Sequence, residues 1–268
     1  MMATQFNGSD GPRALVQVSG GAASFLAWKY AAEEFGPRNT DALFADVKTE
    51  HPDLYRFLDD CQRQLDLPLI RLADGRTPWE VFFDEGMIGN TRADLCSRIL
   101  KRDVLDRWRA ENTTPTSHVI ILGMDANEPH RLEGAAKRHE PWKVRAPLIE
   151  RGIFKERALE LVRAEGLVLS TSYDDGFPHD NCGGACIKAG HAQWAHLLKT
   201  RPAVYAYHEG EEDRFRAETG KNVSILRDRR SGTTRPLTLA DLRRRVEQTP
   251  QEIDLFDWGG CGCMESAA

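Results

Sequence analysis

The run Ala14-Leu15-Val16-Gln17-Val18 meets an Ala-rich segment, Phe25-Leu26-Ala27-Trp28-Lys29-Tyr30-Ala31-Ala32, across only six residues, Ser19-Gly20-Gly21-Ala22-Ala23-Ser24. The first run has the length and apolarity of a buried strand and the second the composition of a helix, so the six residues form a strand-to-helix turn. Such a turn suits an anion. Gly20 and Gly21 let backbone approach a ligand, the helix start presents N–H groups at its positive end, and Ser19 and Ser24 add hydroxyls. Spacing alone leaves a plain connecting turn as the alternative. Neither Gly-x-x-x-x-Gly-Lys-[Ser/Thr] nor Gly-x-Gly-x-x-Gly occurs.

The same alternation continues along the chain. A second apolar run spans Ala42 to Val47, and after Lys48-Thr49-Glu50-His51-Pro52 the residues Leu54, Phe57, Leu58, Cys61 and Leu65 fall at helical spacing. A third strand is expected from Pro68 to Leu72, a fourth from His118 to Gly123, and a helix from Lys155 to Glu165. Strands alternating with helices predict an α/β fold: an open, mostly parallel sheet with helices on both faces and a ligand crevice beyond the carboxyl ends of the strands. The turns 19–24, 48–51 and 123–131 are expected to face that crevice. Residues 1–13 read as a disordered lead-in, 14–190 as the α/β domain, and 191–268 as a mainly helical extension with a cysteine-bearing tail.

A net charge of −5 argues against a generally basic nucleic-acid binder. No apolar stretch approaches the roughly 20 residues of a spanning helix, so no membrane is expected as a partner. The polar, Gly-rich start is unlike a signal peptide, and the expectation is a cytoplasmic protein. Two charged segments stand out. In Arg92 to Arg102, charge pattern alone favours a solvated helix face over an anion site beside Cys96. The segment Arg227 to Arg235 reads as a surface loop, with tRNA or DNA phosphate contacts as the alternative. Of six cysteines, Cys61 lies on an apolar helix face and reads as core. Cys182 and Cys186, separated by Gly183, Gly184 and Ala185, suit a tight loop that turns both sulfurs to one point, and His179 is near enough in sequence to serve as ligand or acid.

Four stretches in order, over residues 14 to 190, resemble the PP-loop (adenine nucleotide alpha hydrolase) superfamily, in particular its phosphoadenosine phosphosulfate (PAPS) reductase-like branch. Ser19 to Ser24 resembles that family's Ser-Gly-Gly-Lys-Asp-Ser loop. Asp46 to Tyr55 is similar to its Asp-Thr-Gly-x-x-Phe-Pro-Glu-Thr-Tyr, and Cys96 to Leu105 to its Cys-Cys-x-x-Arg-Lys-Val-x-Pro-Leu. Tyr173-Asp174-Asp175-Gly176-Phe177-Pro178 with Cys182 and Cys186 is similar to its Tyr-Asp-x-Gly-Tyr-Pro-x-x-x-Cys-x-x-Cys. The resemblance implies that Gly20, Gly21, Ser19 and Ser24 hold phosphate, that Asp46, Thr49 and the backbone near Gly123 surround the adenosine, and that Arg98, Lys101 and Arg131 meet anionic groups. The implied ligand is ATP, with magnesium, or another adenine nucleotide.

The departures are as informative. Ala22 and Ala23 stand where the family has Lys and Asp beside phosphate and magnesium, with Lys29, Lys48 and Lys101 as replacements for the lost cation. Ser97 replaces a second cysteine, and the pair 182/186 is spaced by three residues. Several PP-loop sulfurtransferases carry an iron–sulfur cluster on three cysteines. That count implies Cys96, Cys182 and Cys186 as ligands of a four-iron cluster. A zinc held by Cys182, Cys186, Cys261 and Cys263 and a set of redox thiols are the alternatives. Cys261 and Cys263, between glycines and after Trp258, suit a persulfide carrier or resolving thiol.

The leading expectation is therefore an ATP-dependent sulfurtransferase that adenylates a nucleobase or small-molecule acceptor, with Cys261 and Cys263 as the catalytic thiols and a sulfur-donor protein as partner. The alternatives are a divergent sulfonucleotide reductase served by a thiol reductant protein, and a nucleotide-binding subunit without catalysis. A homodimer is the expected assembly.

Overall fold

The computed structural model describes residues 11–90, 93–229, 232–254 and 256–259. Five parallel strands form the sheet: β1 (Arg13–Val18), β2 (Thr40–Asp46), β3 (Leu69–Ala73), β4 (His118–Leu122) and β5 (Lys143–Arg145), in the order β3-β2-β1-β4-β5. The first four are the expected strands, with ends shifted by a residue or two. The fifth, only three residues long, has too little apolar pattern to be read from sequence. Strand order reverses at β1, where the chain leaves toward β2 and β3 and later returns to β4 on the other side. A crevice opens at such a reversal, beyond the carboxyl ends of the strands.

Strand alternation sorts the core. Ala14, Val16 and Val18 face one side with Ala42, Phe44, Val119 and Ile121. They pack under α1 (Ala22–Phe35), α2 (Pro52–Leu65) and α7 (Lys155–Ala164) through Phe25, Phe57, Leu58, Ala158 and Val162. Leu15 faces the other side with Leu43, Ile120 and Leu122, where Leu105 of α4 (Asp103–Asn112) and Ala135 of α5 (Pro129–His139) close the layer. Cys61 is buried in the first of these cores, where loss of hydration pushes its thiol pKa up, as expected of a small core residue.

A second core lies off the sheet. It joins α3 (Pro78–Glu85) and the segment 95–100 to the cysteine loop, to α9 (His191–Thr200), α10 (Pro202–Thr219) and α11 (Leu239–Gln248), and to the hairpin of β6 (Leu226–Asp228) and β7 (Arg235–Leu237). Polar bonds inside it set the packing. Trp79 donates to His208 Nδ1 at 2.9 Å, and the fully buried Glu212 carboxylate accepts the N–H groups of Ile225 and Leu239 at 2.8 and 2.7 Å. The basic segment 227–235 is largely this hairpin, with residues 230 and 231 outside the described ones. Residues 256–259 return to the start of α9, where Trp258 and Asp257 carbonyls accept from Gly190 and Ala192 at 3.0 and 2.9 Å. Among the described residues no helix is long and apolar enough to cross a membrane.

Candidate active site

The loop after β1 is built by its glycines. Gly20 takes φ +85°, and a Cβ there would lie 2.7 Å from Leu54, so the position excludes side chains both by backbone and by space. Gly123, at the end of β4, would place a Cβ 2.6 Å from Ser24 Cα, so its lack of a side chain lets β4 approach the first turn of α1. Ser24 Oγ donates to the Gly21 carbonyl at 2.8 Å, fixing the turn, and the Ala22 N–H donates to the Tyr173 hydroxyl at 3.3 Å. Burial raises the Tyr173 pKa to about 12, so this hydroxyl stays protonated at neutral pH.

In front of this loop lies a cavity of about 360 Å³. Phe44, Ala45, Leu105, Leu122 and Met124 give it apolar wall. Ser19, Gly21, Ser24, Lys101, Arg131, Lys155 and His179, with Asp125, Glu128 and Asp180, give it polar and charged wall. Ala22 and Ala23 line it too, as bare methyl groups. A hollow that combines apolar wall with basic side chains and a glycine loop at a helix start suits a nucleoside phosphate.

Of the sequence-predicted nucleotide residues, the structure brings Ser19, Gly21, Ser24, Lys101, Gly123 and Arg131 to this cavity. It places Gly20, Asp46, Thr49 and Arg98 elsewhere. Gly20 acts as a spacer against Leu54. The turn 48–51 folds back on itself instead of entering the crevice: Asp46 Oδ1 accepts from the Lys48 N–H at 2.8 Å and the Tyr55 hydroxyl at 2.7 Å, and Lys48 takes φ +63°. Arg98 is half-exposed and lies 3.9 Å from Asp103. Of the three proposed substitute lysines only Lys101 reaches the cavity. Lys29 pairs with Glu165, which raises its pKa, and Lys48 pairs with Asp46. Gln17, Lys155, Tyr173, Asp180 and Asn181 line the cavity without having been read as ligands. For Asp180, Asn181 and Tyr173 the signal was present, because they sit within the Tyr-Asp-Asp-Gly segment and its continuation.

The charged segment around Cys96 is not a solvated face. Ser97–Arg102 is a π-helical turn, and within it Lys101 and Arg102 are buried. Arg102 donates to both Asp94 oxygens at 2.6 and 3.2 Å, and Lys188 reaches Asp94 at 3.5 Å. Lys101 donates to Glu50 Oε1 at 3.2 Å. Glu50, distant in sequence, and Asp94, within the same segment, make this burial affordable, and local charge pattern carries no sign of the first. The Glu50 side chain is fully buried, and its second oxygen accepts the Cys182 N–H. One carboxylate thus joins a cavity-lining cation to the cysteine loop.

That loop turns through three consecutive left-handed residues, Cys182 (φ 52°), Gly183 (φ 58°) and Gly184 (φ 91°). Holding a non-glycine residue there costs about 1–2 kcal/mol. Arg201 and Gln193 hold the loop by its carbonyls, donating to Gly183 at 3.1 Å and Gly184 at 2.8 Å. Cys96 and Cys182 share the wall of a hollow with Thr49 and His208, but its free volume is about 10 Å³, no more than a water, and Cys186 is buried in the apolar core. Among the described residues no three His, Cys, Asp or Glu side chains are grouped to hold a metal ion. The expected three-cysteine cluster site is therefore not formed by Cys96, Cys182 and Cys186 here: the hollow that Cys96 and Cys182 share is walled by Trp79, Phe82 and Ile187, and Cys186 is not on its wall. Cys261 and Cys263, and with them the four-cysteine zinc set, lie outside the described residues.

Residues 13–134 match the phosphoadenosine phosphosulfate reductase domain family. Over that stretch, less than half of the chain, these residues form a PAPS reductase-like domain. The match runs from β1 into α5 and so covers four of the five sheet strands, the loop and Lys101. The cysteine loop and α9 to α11 lie beyond it. Among solved structures, the chain is similar to the phosphoadenylyl-sulfate (PAPS) reductase from Candida auris in its phosphate complex. The identity is 13%, over 62% of this chain and 79% of that one, with a TM-score of 0.48. No curated protein matches the chain.

Proposed function

We propose that this PAPS reductase-like domain binds ATP in the 360 Å³ cavity and that the chain is a sulfur-transfer enzyme that adenylates its acceptor. The observation that supports this reading is where the charges missing from the loop reappear. Ala22 and Ala23 have lost the family's cation and carboxylate, yet Lys101, Lys155 and Asp180 line the same cavity. Asp180 is buried; its Oδ1 accepts from Ser172 at 2.6 Å, while Oδ2 has no hydrogen-bond partner. A buried carboxylate oxygen left without a donor beside a phosphate loop fits magnesium, which takes one or two carboxylates together with phosphate oxygens. The ion would supply charge neutralisation on the phosphates.

The chain's own part is to orient and to stabilise charge. Loop N–H groups and Ser19 hold the phosphates, and Lys101 and Lys155 sit where charge grows on departing pyrophosphate. The acceptor oxygen would form a bond to the α-phosphorus as the bond to the β-phosphate oxygen breaks and pyrophosphate leaves. Sulfur would then enter as the outer atom of a persulfide on one of Cys261 and Cys263, loaded by a sulfane-sulfur donor protein. It forms the carbon–sulfur bond as AMP departs with the oxygen, the other thiol attacks the inner sulfur to release the thiolated nucleobase or small molecule and leave a disulfide, and a thiol reductant reopens that disulfide. Free sulfide would form the same carbon–sulfur bond directly.

A second reading, thiol attack on an adenylyl sulfate with release of sulfite, is supported by the domain family match. One assay separates the two. With ATP, magnesium, sulfide and a pool of nucleic-acid and small-molecule acceptors, acceptor-dependent AMP and pyrophosphate are expected in equal amounts, and Asp180→Asn should lower their rate at least tenfold. Thiol-dependent sulfite release from adenylyl sulfates, with no AMP or pyrophosphate from ATP, would overturn the first reading in favour of the second.

A further inference from the structure

We propose that Gln17 reads the edge of the adenine ring; this inference rests on the cavity being a nucleotide site and on neither chemistry in particular. Gln17 is the one polar residue from Ala14 to Val18. Its strand neighbours in register are Leu43 of β2 and Leu122 of β4, and its side chain shares the face of Leu15. It is only 7% exposed, lines the cavity, and its amide oxygen is buried with no hydrogen-bond partner. The residues flanking it on that face are Leu43 and Leu122. None of these side chains can donate a hydrogen bond.

An unsatisfied amide oxygen in apolar surroundings costs about 1–3 kcal/mol. A leucine, as at position 15, would fill this place in the strand without that cost. The amide is therefore explained by something that enters the cavity. A base fits. Its π-face suits the apolar walls, and adenine presents an amino donor beside a ring-nitrogen acceptor, the complement of a carboxamide's oxygen and NH₂. Rotation about the last side-chain bond exchanges those two polar atoms, so the carboxamide can present the order the base requires. The phosphate loop begins two residues later at Ser19, so one short stretch of β1 would hold both ends of the ligand.

A double-mutant cycle between protein and ligand tests this. Full-length wild type, Gln17→Leu and Gln17→Met are titrated calorimetrically with AMP and with purine riboside 5′-monophosphate, which lacks the 6-amino group. Wild type is expected to bind AMP at least tenfold more tightly than the analogue. Both variants should bind the two ligands equally, at the wild-type affinity for the analogue, and should melt no lower than wild type because an unpaired polar atom has been removed. An undiminished preference for AMP in folded Gln17→Leu and Gln17→Met, or no preference in wild type, overturns the assignment while leaving the cavity a nucleotide site. Failure of wild type to bind either ligand overturns both together.

Discussion

The two largest apolar cores are both closed by big aromatics, Phe25, Trp28 and Phe57 in one and Trp79, Trp194, Tyr205 and Phe215 in the other, yet they are specified differently. The sheet core is made of consecutive strand and helix units, each meeting the next through alternating apolar residues. The second core brings residues 79–100 against residues 177–253, and buried polar bonds from Trp79 to His208 and from Glu212 to two backbone N–H groups fix how they meet. Apolar pattern suffices where neighbours in sequence are neighbours in space. Where they are not, directional bonds select one arrangement from many of similar apolar area.

Glu50 stands at the seam between these regions, and its loss is the largest effect expected. Glu50→Ala leaves Lys101 buried without its carboxylate and removes the acceptor of the Cys182 N–H. Breaking a buried pair from one side costs about 3–5 kcal/mol. Denaturant unfolding should show that loss, and Glu50→Gln, which keeps an acceptor, a smaller one. If Glu50→Ala is within 1 kcal/mol of wild type, the seam is not held by this carboxylate.

The next effect isolates the second core. Burial raises the Glu212 pKa from 4.5 to about 7. Between those values the folded state binds a proton that the unfolded state has released, so this group's contribution to stability falls as pH rises from 4.5 to 7 and is flat above. At about 1.4 kcal/mol per pH unit the loss is about 3 kcal/mol. His208 and His139, held neutral by burial at about 4 and about 3, slope the other way below their unfolded value of 6.5. The signature is therefore the difference between wild type and Glu212→Gln. Unfolding free energies measured from pH 5 to 8 should show the variant gaining on wild type as pH rises; parallel curves would mean that the carboxylate is already ionised in the fold.

The same contrast explains what the sequence made legible. The loop, four strands and the two-sided helical layers follow from periodicity and glycine placement within about a dozen residues of one another. Charge pattern alone reads Lys101 and Arg102 as solvated, although motif resemblance puts Lys101 at an anion: the carboxylate of Lys101, Glu50, is 51 residues away, and Asp94, in the same segment as Arg102, is shared with the distant Lys188. Lys155 carries no such signal: nothing in a linear reading brings residue 155 to the turn at 19–24, whereas Asp180 follows a motif segment and could have been placed at the cavity by it. The cysteine spacing is visible in the sequence, but the apolar packing that Cys96, Cys182 and Cys186 join is a property of the second core.

The smallest effect sharpens the comparison at the position where motif resemblance and structure part. Arg98 corresponds by motif to an anion ligand, yet the π-helical turn that carries Lys101 into the cavity leaves Arg98 half-exposed, 3.9 Å from Asp103 and absent from the cavity wall. In a π-helix residues five apart share a face, so positions 98 and 101 diverge around the axis. An exposed ion pair of this kind contributes about 0–1 kcal/mol. Arg98→Ala should change AMP affinity less than twofold, whereas Lys101→Ala should weaken it at least tenfold in the same titration. Equal losses in both variants would mean that Arg98 swings onto the ligand when it binds, and that the turn, not the motif, has to be redrawn for the bound state.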